Sequence, residues 1–97
     1  MKERCDSMLV KFKNASDIYR FILNCKYVTL VKHGNKKVYY LNQIGDGVWL
    51  RVCDEKTNSS VAFAKINKYE IDKIFDDFEF ELQVTMVGVE TIESWWL

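Results

Sequence analysis

YVTLVKHGNKKVYYLNQIGDGVWLRVCDEKTNSSVAFAKI, residues 27–66, is the stretch that decides the fold. It breaks into four short apolar segments separated by turn residues, which predicts four strands in up-and-down order. The Gly34-Asn35 pair suits a two-residue hairpin loop whose twist matches that of paired strands. That loop sets Val31 opposite Val38, Leu30 opposite Tyr39 and Val28 opposite Leu41. Side chains alternate along a strand, so Val28, Leu30, Tyr39 and Leu41 share one face, while Thr29, Val31, Val38 and Tyr40 share the other. Apolar groups on both faces predict cover on both sides, by helices or by a second copy of the chain. The third strand places Val48, Leu50 and Val52 against Trp49, Arg51 and Cys53, with Gly45-Asp46-Gly47 as the turn before it. In the fourth, the small Ala62 and Ala64 face one way and Val61 and Phe63 the other.

Outward from this meander, Asn14 or Ser16 is placed to cap a helix whose Ile18, Phe21, Ile22 and Cys25 form one apolar stripe. Leu9 to Phe12 is long enough for a short strand, and residues 1–7 read as a frayed end. On the other side, Asn67 with Glu70 three residues on predicts a capping box. The helix it opens carries Ile71, Ile74, Phe75 and Phe78, and ends at Asp76-Asp77. From Phe78 to Val87, apolar residues alternate strictly with Glu79, Glu81, Gln83 and Thr85, predicting a strand with one wet, acidic face. The expected fold is a single α+β domain over residues 1–97, an antiparallel meander sheet of four to five strands with two helices.

Composition sets limits on function. No apolar run approaches the ~18 residues a membrane helix needs, and no leader pattern opens the chain. The three cysteines are widely spaced, which reads as reduced thiols in a cytoplasmic protein, the host cytoplasm if the source is viral. No metal or cofactor is expected, since there is one histidine and no paired Cys spacing. The net charge of zero hides a division: residues 1–40 hold nine basic groups against three acids, and residues 41–97 hold five against eleven.

Two constellations stand out. Lys32, Lys36 and Lys37 form a basic hairpin that, with Tyr39, Trp49 and Arg51, supplies the cations and rings that grip a phosphate and stack on a base. Asp76, Asp77, Glu79 and Glu81 form an acidic surface suited to a basic protein partner, and Trp95 and Trp96 form an apolar tail suited to docking in cis or in trans. The bland readings are solubilising lysines, core aromatics and a solvated acidic edge. His33 beside the hairpin turn is the only histidine a nucleophilic or acid–base mechanism can use, and a turn is a poor place to hold a base rigidly.

The helix at Asp17–Cys25, the Asp46-Gly47 turn between short strands and the late Asp76-Asp77-Phe78-Glu79 run together resemble the layout of the Thoeris anti-defence sponge family, among small accessory proteins of phages. The resemblance spans roughly residues 16–82 and lacks the tryptophan expected soon after the first helix, so it assigns no binding residue. It implies an oligomer that sequesters a signalling nucleotide without cleaving it. The expected function is thus a non-catalytic, homo-oligomeric inhibitor of a host defence system, occupying either a defence protein or a small nucleotide. A small enzyme using His33, or a nucleic-acid-binding module using the 32–37 hairpin, is the alternative.

Overall fold

In the computed structural model, which describes residues 7–84, the chain forms one antiparallel sheet with two helices on one face. The elements are β1 (Ser7–Lys11), α1 (Ala15–Asn24), β2 (Val28–Gly34), β3 (Lys37–Ile44), β4 (Gly47–Asp54), β5 (Ser60–Ile66), α2 (Lys68–Ile74) and β6 (Glu79–Val84). The sheet has six strands in the order β1-β6-β2-β3-β4-β5, one or two more than the sequence reading gave. The meander β2 to β5 is as expected. β6 returns across the sheet and inserts between β1 and β2, so β1, α1 and β2 make a split β-α-β unit.

Both helices start where their caps allow. Asn14 is the cap of α1, its Oδ1 accepting from the Asp17 N–H at 2.9 Å, and Asp17 sits at the positive end of the helix dipole. The capping box of α2 is present: Asn67 Oδ1 accepts from the Glu70 N–H, and the Glu70 carboxylate accepts from the Asn67 N–H. α2 ends at Ile74, short of the acidic pair, with Phe75 as its cap.

The core lies between these helices and one sheet face. Ile18, Ile22 and Ile71 from the helices pack on Leu30, Leu41, Val48, Leu50, Val52 and Phe80 of the sheet. Cys53 is buried and Cys25 half-buried. Among the described residues, no helix is long and apolar enough to cross a membrane. Residues 1–6 and 85–97, with Trp95, Trp96 and the predicted continuation of the last strand to Val87, lie outside the described residues. The described strand begins at Glu79, one residue later than expected, and Phe78 instead accepts a hydrogen bond from the Phe12 N–H.

The first hairpin departs from its predicted register. Leu30 faces Leu41, Val31 faces Tyr40 and Gly34 faces Lys37, so the loop is Asn35-Lys36. The slip is two residues, which preserves both faces. Its cause lies across the sheet: Leu30, fully buried, stands between Leu41 on β3 and Leu82 on β6, and this packing outweighs the turn preference of Gly34. As a result, Asn35 and Lys36 both take positive φ, 53° and 62°. Asparagine tolerates that conformation, but for lysine it costs about 1–2 kcal/mol. Lys36→Gly is therefore expected to stabilise the protein by roughly 1 kcal/mol, read as a higher urea midpoint at unchanged slope. A lower midpoint would mean that Lys36 makes a compensating contact.

Candidate functional site

The structure separates the residues that the sequence grouped as one ligand site. Lys32 and Tyr39 point to the helix side of the sheet, whereas Trp49 and Arg51 occupy the opposite, open face, which neither helix covers although Val31, Val38 and Cys53 are buried on it. Tyr39 packs edge-on against Phe75 with ring centroids 5.5 Å apart, which makes it core filling. Lys32 lies over the Phe80 ring at 5.0 Å and donates to Asp77 Oδ1 and to the Glu79 carbonyl. The basic hairpin and the acidic stretch after α2 are thus neighbours, joined by the Lys32–Asp77 pair.

They enclose a cleft of about 230 Å³ whose lining includes Lys32, His33, Tyr39, Phe75, Asp76 and Asp77. Asp77 also accepts from the Glu79 N–H, so it holds the start of β6 in place. The Lys32 hydrogen bond first, and then the Glu79 N–H, lower the Asp77 carboxyl below its ordinary 3.8. A carboxyl depressed in the folded state adds stability that is present above its unfolded value and lost as pH falls through its folded one. Asp77→Asn should therefore lose less stability than the wild type on acidification below 3.8. Identical slopes in acid urea titrations would remove this contact from the account.

The hairpin tip itself is not a bare cationic surface. Lys36 accepts a backbone hydrogen bond from Glu55, and Lys37 stands opposite Asp54. The Asp54 carboxyl is lowered chiefly by the Thr57 and Lys56 N–H groups, with a smaller contribution from the charge of Lys37. A phosphate arriving here meets Asp54, Glu55, Asp76 and Asp77 as well as the lysines.

The open face is arranged differently. Along β4, Trp49 faces Lys65 of β5 and Arg51 faces Phe63, so rings and cations alternate in a checkerboard. The Trp49 and Phe63 rings are 4.9 Å apart at 33°, and the Arg51 guanidinium lies 5.1 Å from the Phe63 centroid. Tyr40 on β3 faces Arg51 from the other side. Lys65 extends over Gly47, where a side chain would collide with its stem, and its ammonium stands 3.9 Å from the wholly exposed Asp46. The ring pair is therefore flanked by a cation on either side, Arg51 across from Phe63 and Lys65 across from Trp49.

This platform depends on one extra residue. Cys53 faces Ser60 but Val52 faces Ala62, leaving Val61 as a bulge in β5. With unbroken pairing beyond Ser60, Phe63 would face Leu50 on the helix side and Ala62 would face Arg51. The bulge turns Phe63 outward and sends Ala62 and Ala64 to the helix side. Phe63, missing from the sequence-derived set, could have been found only by knowing this shift.

The chain matches no family model, no curated protein and no solved structure. Its functional reading accordingly stands on its own geometry.

The predicted acidic surface is also divided. Asp77 is engaged by Lys32, and Asp76 lies on the cleft. Glu79 and Glu81 occupy the open face of β6, opposite Lys11 and Leu9 of β1. Two strands, β2 and β3, separate these glutamates from Arg51, roughly 14 Å at the usual strand spacing, and Lys65 lies one strand further away. The open face thus grades from acid at β6 to cationic and aromatic at β4 and β5.

Proposed function

We propose that this chain is a non-catalytic binding protein that sequesters a nucleotide-type ligand on the open face of its sheet. The observation that carries the reading is the Trp49–Phe63 ring pair held between Arg51 and Lys65. A planar base stacks on aromatic faces with little dependence on its identity, and stacking contributes about 1–3 kcal/mol per base. A guanidinium beside it offers a planar fork of donors that matches phosphate oxygens. One ring pair with a cation on either flank fits a mononucleotide better than a long strand.

The hairpin tip supports this reading less well, because acids accompany its lysines. The protein-inhibitor version loses Asp77 as a free carboxylate to the contact with Lys32. Holding a ligand without cleaving it is also the mode that the resemblance to the sponge family implies, and in that setting the ligand is a defence signal. The sole histidine, His33, is exposed on β2 near the hairpin and remote from the ring pair.

The test starts with native protein denatured gently, its released small molecules being separated and identified by mass. A stoichiometric nucleotide that is absent from the Arg51→Glu protein supports the reading. A nucleotide retained by Arg51→Glu but lost from a Lys36→Glu, Lys37→Glu double variant would transfer the site to the hairpin. Loss of function in His33→Ala with the fold intact would favour an enzyme.

A further inference from the structure

We propose that β5 is the contact through which two copies of this chain join, edge to edge, into one continuous antiparallel sheet. Among the described residues β5 is a sheet edge, paired with β4 on one side only. Six of its seven residues are exposed, and only Ile66 is buried. Val61 and Phe63 are 54% and 48% exposed, and Ala62 and Ala64 are exposed beside them. Edge strands are usually kept from pairing by a proline, a charge or a bulge. β5 has its bulge at Val61, and the run Ala62-Phe63-Ala64 after it carries neither a proline nor a charge. The one charge, Lys65, stands next to the end.

The strand is complementary to itself. A two-fold axis perpendicular to the sheet keeps every side chain on its own face, so a residue must meet one of the same parity. An axis through Phe63 uses the regular run after the bulge, because the bulge at Val61 puts Ser60 and Ile66 on opposite faces. Ala62 then meets Ala64, and Val61 meets Lys65, whose methylene stem can cover it. Lys65 does not meet its own copy, so no like charges stand opposed. The other edge, β1, also exposes apolar groups, Met8 and Leu9. A β5-to-β1 contact would repeat without closing, whereas β5-to-β5 closes after two copies.

The arrangement goes beyond the ligand reading and stands without it, since the edge pairs whether or not a ligand is bound. It also adds something to that site. Phe63 lies at the axis, so the ring pairs of the two copies adjoin, and each copy supplies a ring at the border of the other's platform.

Light scattering on the ligand-free full chain decides the first point. The expected mass is twice the monomer's 11.5 kDa, falling to one copy in Phe63→Lys with its circular dichroism unchanged. Should Phe63→Lys fold poorly, Phe63→Cys provides an independent reading. Residues directly opposite in an antiparallel pair lie about 4.5–5.5 Å apart at Cα, within disulfide range. Phe63→Cys should therefore cross-link under mild oxidation faster than the wild type, while Ala64→Cys should not. A monomeric wild type, a dimer that survives Phe63→Lys, or cross-linking of Phe63→Cys at only the wild-type rate would each overturn the proposal.

Discussion

Phe80→Ala is expected to remove about 3–5 kcal/mol of folding stability, a large share of what holds the chain folded. Phe80 is 1% exposed and sits at the join of both helices' return path and the sheet. Its ring meets Phe75 at 5.1 Å and Phe12 at 6.3 Å, both in steep edge-on geometry, and its face carries the Lys32 ammonium. Removing it empties the space among three partners drawn from just after β1, the end of α2 and β2. A domain of this size has a total of roughly 5–15 kcal/mol to lose. Urea unfolding of Phe80→Ala beside Ile74→Ala, whose side chain is exposed at the end of α2, gives the contrast. Equal losses in the two variants would mean that the core is not centred where the structure places it.

Arg51→Glu is expected to act on binding and not on folding. The side chain is exposed on the open face, and its contacts are the Phe63 ring and its cross-strand neighbours. Surface changes of this kind usually move stability by about 0.5 kcal/mol or less. A hydrogen bond to a charged group is worth about 1.5–3 kcal/mol, which converts to a loss of roughly tenfold to more than a hundredfold in nucleotide affinity. Reversal of the charge adds repulsion to that loss. Calorimetric titration of both proteins with the co-purifying nucleotide, alongside their urea midpoints, separates the two effects. Unchanged affinity with an unchanged midpoint would remove Arg51 from the site.

Much of the fold was legible because side-chain alternation is a local property. The faces of β3, β4 and β6 follow from a period of two, and the caps at Asn14 and Asn67 follow from residue type. What failed was decided at a distance. The hairpin slip reflects Leu30 packing between Leu41 and Leu82, and Leu82 lies more than fifty residues away in the chain. The insertion of β6 between β1 and β2 is likewise invisible to any short window.

The site was half legible for the same reason. Trp49 and Arg51 are two apart on one strand, so their shared face could be read directly. Lys32 and Tyr39 looked equivalent to them by residue type, but whether two hairpins present the same side depends on pairing across the sheet. The structure turns Lys32 and Tyr39 towards the helices. Phe63 joined the set only through the bulge at Val61, a departure of one residue that reverses every side chain after it.

The central claim is that the β4–β5 half of the open face binds the ligand. Amide and side-chain NMR shifts, followed while purine and pyrimidine mononucleotides are titrated into the protein, test it most directly. The predicted result is saturable change confined to Tyr40, Trp49, Arg51, Phe63, Lys65 and their immediate neighbours. Changes centred on Lys32 to Lys37, or no saturable change with any nucleotide, would contradict it.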